Sequence, residues 1–142
     1  MDLGRHPQEA AVADTSGELR FPIRLASTHR LHLALRGMTP ERSVVTLTPD
    51  EIRVRAGTWT HVIQLEQVVA ARVVDSGGVA VGVHDHLHGR WTVAGDSGPR
   101  VRLDLGPSDH AFLPPVTCLE LGVDDPEDFL TRLLAMRPDL DR

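Results

Sequence analysis

The sequence predicts a mainly β domain, an antiparallel sandwich or small barrel of about seven or eight strands with one C-terminal amphipathic helix. Three observations carry this. From Ser43 onward apolar residues recur at every second position, the period of a half-buried strand. Turn-forming clusters break these runs at a spacing of roughly 8 to 12 residues, as in all-β domains. Beyond Asp125 the apolar spacing lengthens to that of a helix lying on a core.

Residues 1–17 are small and polar without a sustained period, so they read as a flexible arm, and residues 18–142 as a single domain. Phe21 to Leu25 reads as a first strand, with Pro22 favouring an edge position. Thr28 to Arg36 is open between two readings: Leu31, Leu33 and Leu35 alternate as in a strand, while Leu31, Ala34 and Leu35 share a helical face. Gly37 ends either one.

Val45 and Leu47 begin the plain alternation, and Pro49-Asp50 turns the chain. Ile52, Val54 and Ala56 then face inward, with Glu51, Arg53 and Arg55 toward water. After Ala56-Gly57 a strand groups Trp59, His61, Ile63 and Leu65 on one side, and Val68 to Val74 follows. Asp75-Ser76-Gly77-Gly78 breaks the chain before Val79-Val81-Val83. Trp91-Val93 and Val101-Leu103-Leu105 are expected as strands joined by a turn at Gly95-Asp96-Ser97-Gly98-Pro99. Val116 to Val123 is the expected last strand. Asp125 then supplies a helix N-cap, Pro126 the first helical position, and Glu127 and Asp128 suit the positive end of the dipole. Phe129, Leu130, Leu133, Leu134 and Met136 form the buried stripe, and Pro138 marks the stop.

Composition bounds the function. The chain has 142 residues, 41% hydrophobic and 25% charged, enough for one domain with a real core. Its net charge of −5 argues against non-specific nucleic-acid binding, which needs a basic excess. All 15 basic residues are arginine, so lysine Schiff-base chemistry is excluded. The single cysteine, Cys118, offers neither an internal disulfide nor a multi-thiolate zinc site, and suits a reducing, cytoplasmic setting. No run approaches the roughly 18 apolar residues that span a bilayer.

The order of elements resembles the pleckstrin-homology-like (PH-like) fold, in which two antiparallel sheets are closed at one corner by a C-terminal helix. The segments Ser43 to Arg55, Ile63 to Val68, Gly82-Val83-His84 and Gly89 to Gly95 resemble a family of short actinobacterial proteins with bacterial PH-like domains. The similarity runs from about Phe21 to Leu134. It implies the fold rather than an activity, because that family has no established biochemical role. His86 and His88 depart from its pattern, where an aromatic residue or arginine is more usual.

The candidate chemistry centres on His84-Asp85-His86-Leu87-His88. On a continuous strand the three histidines project from one face, which raises a metal reading. At a rise of about 3.3 Å per residue at most two neighbours can share an ion, so other ligands would have to come from His61, His110 or Asp85. The His84-x-His86 pair resembles the first metal motif of cupins, yet Gly89, Arg90 and Trp91 stand where that motif carries a glutamate. Cys118 has no activating base nearby in sequence and reads as a bystander.

The leading expectation is therefore a non-catalytic binding or scaffolding module with no cofactor and no bound metal. His84, Arg90 and Trp91 are its candidate binding residues, and a protein partner or a second copy added at a sheet edge its expected ligand. The rivals are a metal-dependent enzyme using His84, His86 and His88, and a carrier holding a small ligand or lipid between the sheets.

Overall fold

The computed structural model describes residues 12–13, 17–75, 81–86, 88–106 and 116–140. Two sheets face each other across one core. The first is an antiparallel meander of β1 (Val12–Ala13), β2 (Leu19–Pro22), β3 (Ser43–Leu47), β4 (Glu51–Ala56) and β5 (Trp59–Gln64), in that spatial order. The second contains β6 (Val68–Val74), β7 (Gly82–Asp85), β8 (Arg90–Ala94), β9 (Arg100–Leu105) and β10 (Cys118–Leu121), arranged β6-β9-β10-β8-β7. Two α-helices, α1 (Arg30–Leu35) and α2 (Pro126–Met136), and short 3-10 turns at Ser27–His29, Pro40–Arg42 and Leu65–Gln67 complete the described fold. The mainly β sandwich with a C-terminal helix expected from the sequence is the observed architecture; it does not close into a barrel.

Within the stretch read as an arm, Val12 and Ala13 pair with Arg20 and Leu19. The expected strand from Phe21 splits, β2 ending at Pro22 and Ile23 and Leu25 then crossing to the second sheet.

The alternation reads directly into burial. In β4, Ile52, Val54 and Ala56 are buried, whereas Arg53 and Arg55 are exposed. Phe21, Val45, Leu47 and Ile63 from the first sheet join Val68, Val93, Val101, Leu103, Leu119 and Leu121 from the second in one buried cluster. Each such side chain removed from water contributes about 1.5–3 kcal/mol. α2 plugs the core with Phe129 and Leu133, Phe129 standing edge-on to Phe21 at 4.9 Å between ring centroids.

The second sheet corrects the all-antiparallel expectation. β10 runs antiparallel to β9 but parallel to β8, with Leu119 opposite both Leu103 and Trp91. The strands on either side of the Gly95–Pro99 turn are therefore not a paired hairpin. β10, apolar at Leu119 and Leu121, takes the central position where both of its edges are satisfied and its core face is fully covered.

A seam of backbone contacts joins the sheets at one corner. Arg24 N–H donates to the Gly122 carbonyl (3.0 Å), Ala26 N–H to that of Gly95 (2.9 Å), and Asp124 N–H to that of Pro22 (2.7 Å). Arg24 also holds Asp96 at 2.8 Å, pinning the Gly95–Pro99 turn to the first sheet.

The ambiguous Thr28–Arg36 stretch is helical: a 3-10 turn at Ser27–His29 runs into α1. Its end is a Schellman motif, in which Met38 N–H donates to Leu33 O and Gly37 N–H to Ala34 O, both at 2.9 Å. Gly37 takes φ +85°, and Leu33 and Met38 are buried together at the core, the apolar contact this motif favours. The buried face of α1 is thus Leu33, not the Leu31, Ala34 and Leu35 face, which lies outward.

α2 begins as expected, the Asp125 carboxylate accepting from Asp128 N–H at 3.0 Å. Asp125→Ala is expected to cost about 1 kcal/mol, the usual value of an N-cap, measured as a lower urea midpoint with an unchanged m-value.

Candidate functional site

The histidine segment does not form one continuous strand. β7 ends at Asp85, and His86 N–H donates to the Arg90 carbonyl at 2.8 Å to start the reversal. His88 sits in that turn at φ +57°, beside Gly89 at φ +79°. His84 and His86 do share a face, their rings stacked at 6.3 Å between centroids. Their outer nitrogens are engaged: His84 Nε2–H donates to the Val81 carbonyl at 2.6 Å, and His86 Nε2 shares a hydrogen bond with the Thr92 hydroxyl at 2.9 Å. Among the described residues no group of three or more His, Cys, Asp or Glu is placed to hold a metal ion, and His110 lies outside them.

Cross-strand register separates the three candidate binding residues. His84 lies opposite Thr92 and Asp85 opposite Trp91, so alternation puts His84, Thr92 and Arg90 on one face of the sheet and Trp91 on the other. What adjoins His84 comes from elsewhere in the chain. His84 Nε2 and Arg36 Nη1 lie 3.6 and 4.0 Å from the point where a side chain at Gly82 would begin, which brings the end of α1 against β7. The sequence contained no local signal for this neighbour, forty-eight positions upstream of His84.

Trp91 turns instead toward the first sheet. Its ring stacks on Trp59 of β5 at 5.6 Å and 28°, and Trp59 stacks in turn on His61 at 5.7 Å and 23°. Both tryptophans pack against the core, and the buried Trp91 Nε1–H has no hydrogen-bond partner among the described residues. The row Trp91–Trp59–His61 therefore staples the two sheets together through stacked faces.

Burial pushes the His61 imidazole below its usual range, because the charged ring would lose water. The sign follows from linkage. The unfolded chain binds this proton more readily than the folded one, so the stability His61 contributes is fully present above about pH 6.5 and declines as pH falls. The urea midpoint is expected to drop between pH 7.5 and 5.5 by more in the wild type than in His61→Gln, which carries no titrating ring.

Cys118 is buried on the polar-facing side of β10, among Arg102, Asp104 and Glu120. Burial pushes its thiol up, outweighing the nearby arginines, which leaves it protonated and a poor nucleophile at neutral pH. Arg102 is held by Asp104 at 3.1 Å, and Arg100, itself buried, lies 3.8 Å from Glu120. These charges are spent on one another within the sheet.

A shallow groove of about 440 Å³ runs between the β3–β4 turn and the end of α2, lined by Asp50, Gln64, Glu66, Met136 and Arg137. It lies outside the sandwich rather than between the sheets, where a carrier's ligand would sit. Its arginine is committed, donating to the Leu65 carbonyl at 2.6 Å and to both oxygens of Asp139. No helix among the described residues is long and apolar enough to cross a membrane. Comparison with models of protein families, with curated proteins and with solved structures finds no match to this chain.

Proposed function

We propose that this chain is a non-catalytic binding or scaffolding module of PH-like architecture, which recruits a protein partner along the free edge of β5. The observation that carries the reading is the position of that strand. β5 pairs with β4 on one side and, among the described residues, with no strand on the other, leaving a row of main-chain donors and acceptors for strand addition. Val62, 41% exposed in the middle of it, offers an apolar contact beside those groups. The two-sheet sandwich and its C-terminal helix support the PH-like assignment, and the parallel β8–β10 pair is the departure from a fully antiparallel roll. A lone buried thiol suits a reducing cytoplasm.

The test is affinity purification of the full chain from its native host after mild cross-linking, for wild type and Val62→Arg. An edge charge blocks strand addition without entering the core. A stoichiometric partner is expected with wild type and at least tenfold less with Val62→Arg, at an unchanged urea midpoint; a dimer of this chain lost in the same variant would make the partner a second copy. Equal recovery with both forms, or none with wild type, defeats the reading. Stoichiometric zinc, iron or nickel in untagged protein, lost on replacing His84 and His86, would favour a metal-dependent enzyme instead.

A further inference from the structure

The free edge of β5 carries a chemical polarity that narrows what it takes up. Register fixes the side chains on its outward side: Thr60 lies opposite Arg55 of β4, Val62 opposite Arg53, and Gln64 opposite Glu51. These three β5 residues are uncharged, so the charges that an added strand meets belong to β4. Arg53 is already paired, 2.7 Å from Glu51 and 3.9 Å from Glu18. Arg55 is exposed, stands between uncharged Val44 and Thr60, and makes no ion pair among the described residues. One end of the edge therefore has a guanidinium without a counter-ion, and the other end has a carboxylate.

The core-facing side of the same edge is apolar and aromatic. Trp59 and His61 are half-buried with their rings stacked, and Ile63 is buried. Inward side chains of an added strand would therefore meet ring faces rather than charge.

We propose that β5 takes up an extended acidic and apolar segment of a partner protein, paired antiparallel, with a glutamate or aspartate opposite Thr60 to meet Arg55 and apolar residues opposite Trp59, His61 and Val62. This rests on the strand-addition reading above and names the chemistry of the segment added. Distance allows the contact. An added strand lies two strand spacings from β4, about 9.6 Å, and short Thr60 lets guanidinium and carboxylate close that gap by leaning over it. Opposite charges on facing strands attract and like charges repel. An acid at the far end, opposite Gln64, would face Glu51 instead. A second copy of β5 is a poorer occupant, because none of its six residues is acidic.

The test uses fluorescein-labelled peptides and the full chain, read by fluorescence anisotropy at low ionic strength. The first peptide, Gln-Thr-Val-Leu-Glu-Leu, places its acid opposite Thr60. The second, Glu-Thr-Val-Leu-Gln-Leu, has the same composition and charge but places the acid opposite Gln64. The third replaces the central valine of the first by proline, which has no amide hydrogen to give the ladder. The first is expected to bind at least threefold tighter than the second, with a difference that shrinks as salt is added. The third should bind at least tenfold more weakly than the first. In Arg55→Gln, an exposed position whose loss should leave the urea midpoint unchanged, the ratio of the first two should fall to about one. Equal binding of the first two peptides to wild type, or a ratio that survives Arg55→Gln, overturns this proposal while leaving strand addition standing. Binding of neither acidic peptide, or undiminished binding of the proline peptide, overturns strand addition at β5 and this proposal with it.

Discussion

Gly95→Ala is expected to lower the free energy of unfolding by about 3 kcal/mol or more, at the upper end of what overpacking costs. A Cβ at this position would lie 2.0 Å from the Arg24 carbonyl oxygen, 2.5 Å from Leu25 Cδ2 and 2.9 Å from Leu25 Cα. Two of these three are backbone atoms, so no rotamer change relieves the clash. The strand and the Ile23–Ala26 segment must part, and parting them breaks the Ala26–Gly95 hydrogen bond and strains the Arg24–Gly122 one. Because that seam is where the first sheet is tied to the second, the penalty falls on the whole sandwich. Gly98→Ala, three residues on, is the control: its Cβ would meet side-chain atoms rather than backbone, Arg24 Nη2 at 3.1 Å and Asp96 Oδ2 at 3.5 Å, which need give by only a few tenths of an ångström. Urea unfolding followed by circular dichroism separates the two. A Gly95→Ala midpoint as close to wild type as that of Gly98→Ala would mean that the sheets are not held this tightly.

Phe129→Ala should destabilise the protein by about 3–5 kcal/mol, the range for removing a fully buried phenylalanine. The side chain is completely buried and is the largest that α2 contributes to the core. Its removal forfeits the edge-to-face contact with Phe21 and opens a cavity that rigid strands on both sides cannot close. The consequence extends beyond stability, because Phe129 and Leu133 are the two residues of α2 that are fully inserted. Amide hydrogen exchange is expected to accelerate along α2 before it does so in β3 or β4. Leu130→Ala, at a half-buried position on the same helix, should cost markedly less. A loss below about 1 kcal/mol in Phe129→Ala would show that the helix is not the stopper of the core.

The candidate site was legible only in fragments. Its residue types stand out in the sequence, but their neighbours do not. His84 and His86 remain together because residues two apart on an extended chain share a face, a local fact. His88 leaves them because the chain must reverse before Arg90, and the reversal is fixed by the partner strand. Trp91 leaves Arg90 for the same alternation that joins it to Trp59, thirty-two residues earlier. The sequence leaves the Thr28–Arg36 stretch open between strand and helix, with no face assigned to the core. Helical spacing groups Leu31 with Leu35 but cannot say whether that face or the Leu33 face meets the core.

What the sequence by itself determined is whatever depends on a few consecutive residues. Alternation set the buried and exposed sides of β4, and Asp125 with Pro126 set the start of α2. Tertiary structure alone decided that β10 slips between β8 and β9 and runs parallel to one of them, that the Thr28–Arg36 stretch coils rather than extends, and that Arg36 arrives beside His84. The physical reason is the range of the interactions. Side-chain period and capping are properties of a single strand or helical turn. A strand's edges, by contrast, are satisfied equally well by any partner of suitable length, and only simultaneous burial of the whole core selects which one it takes.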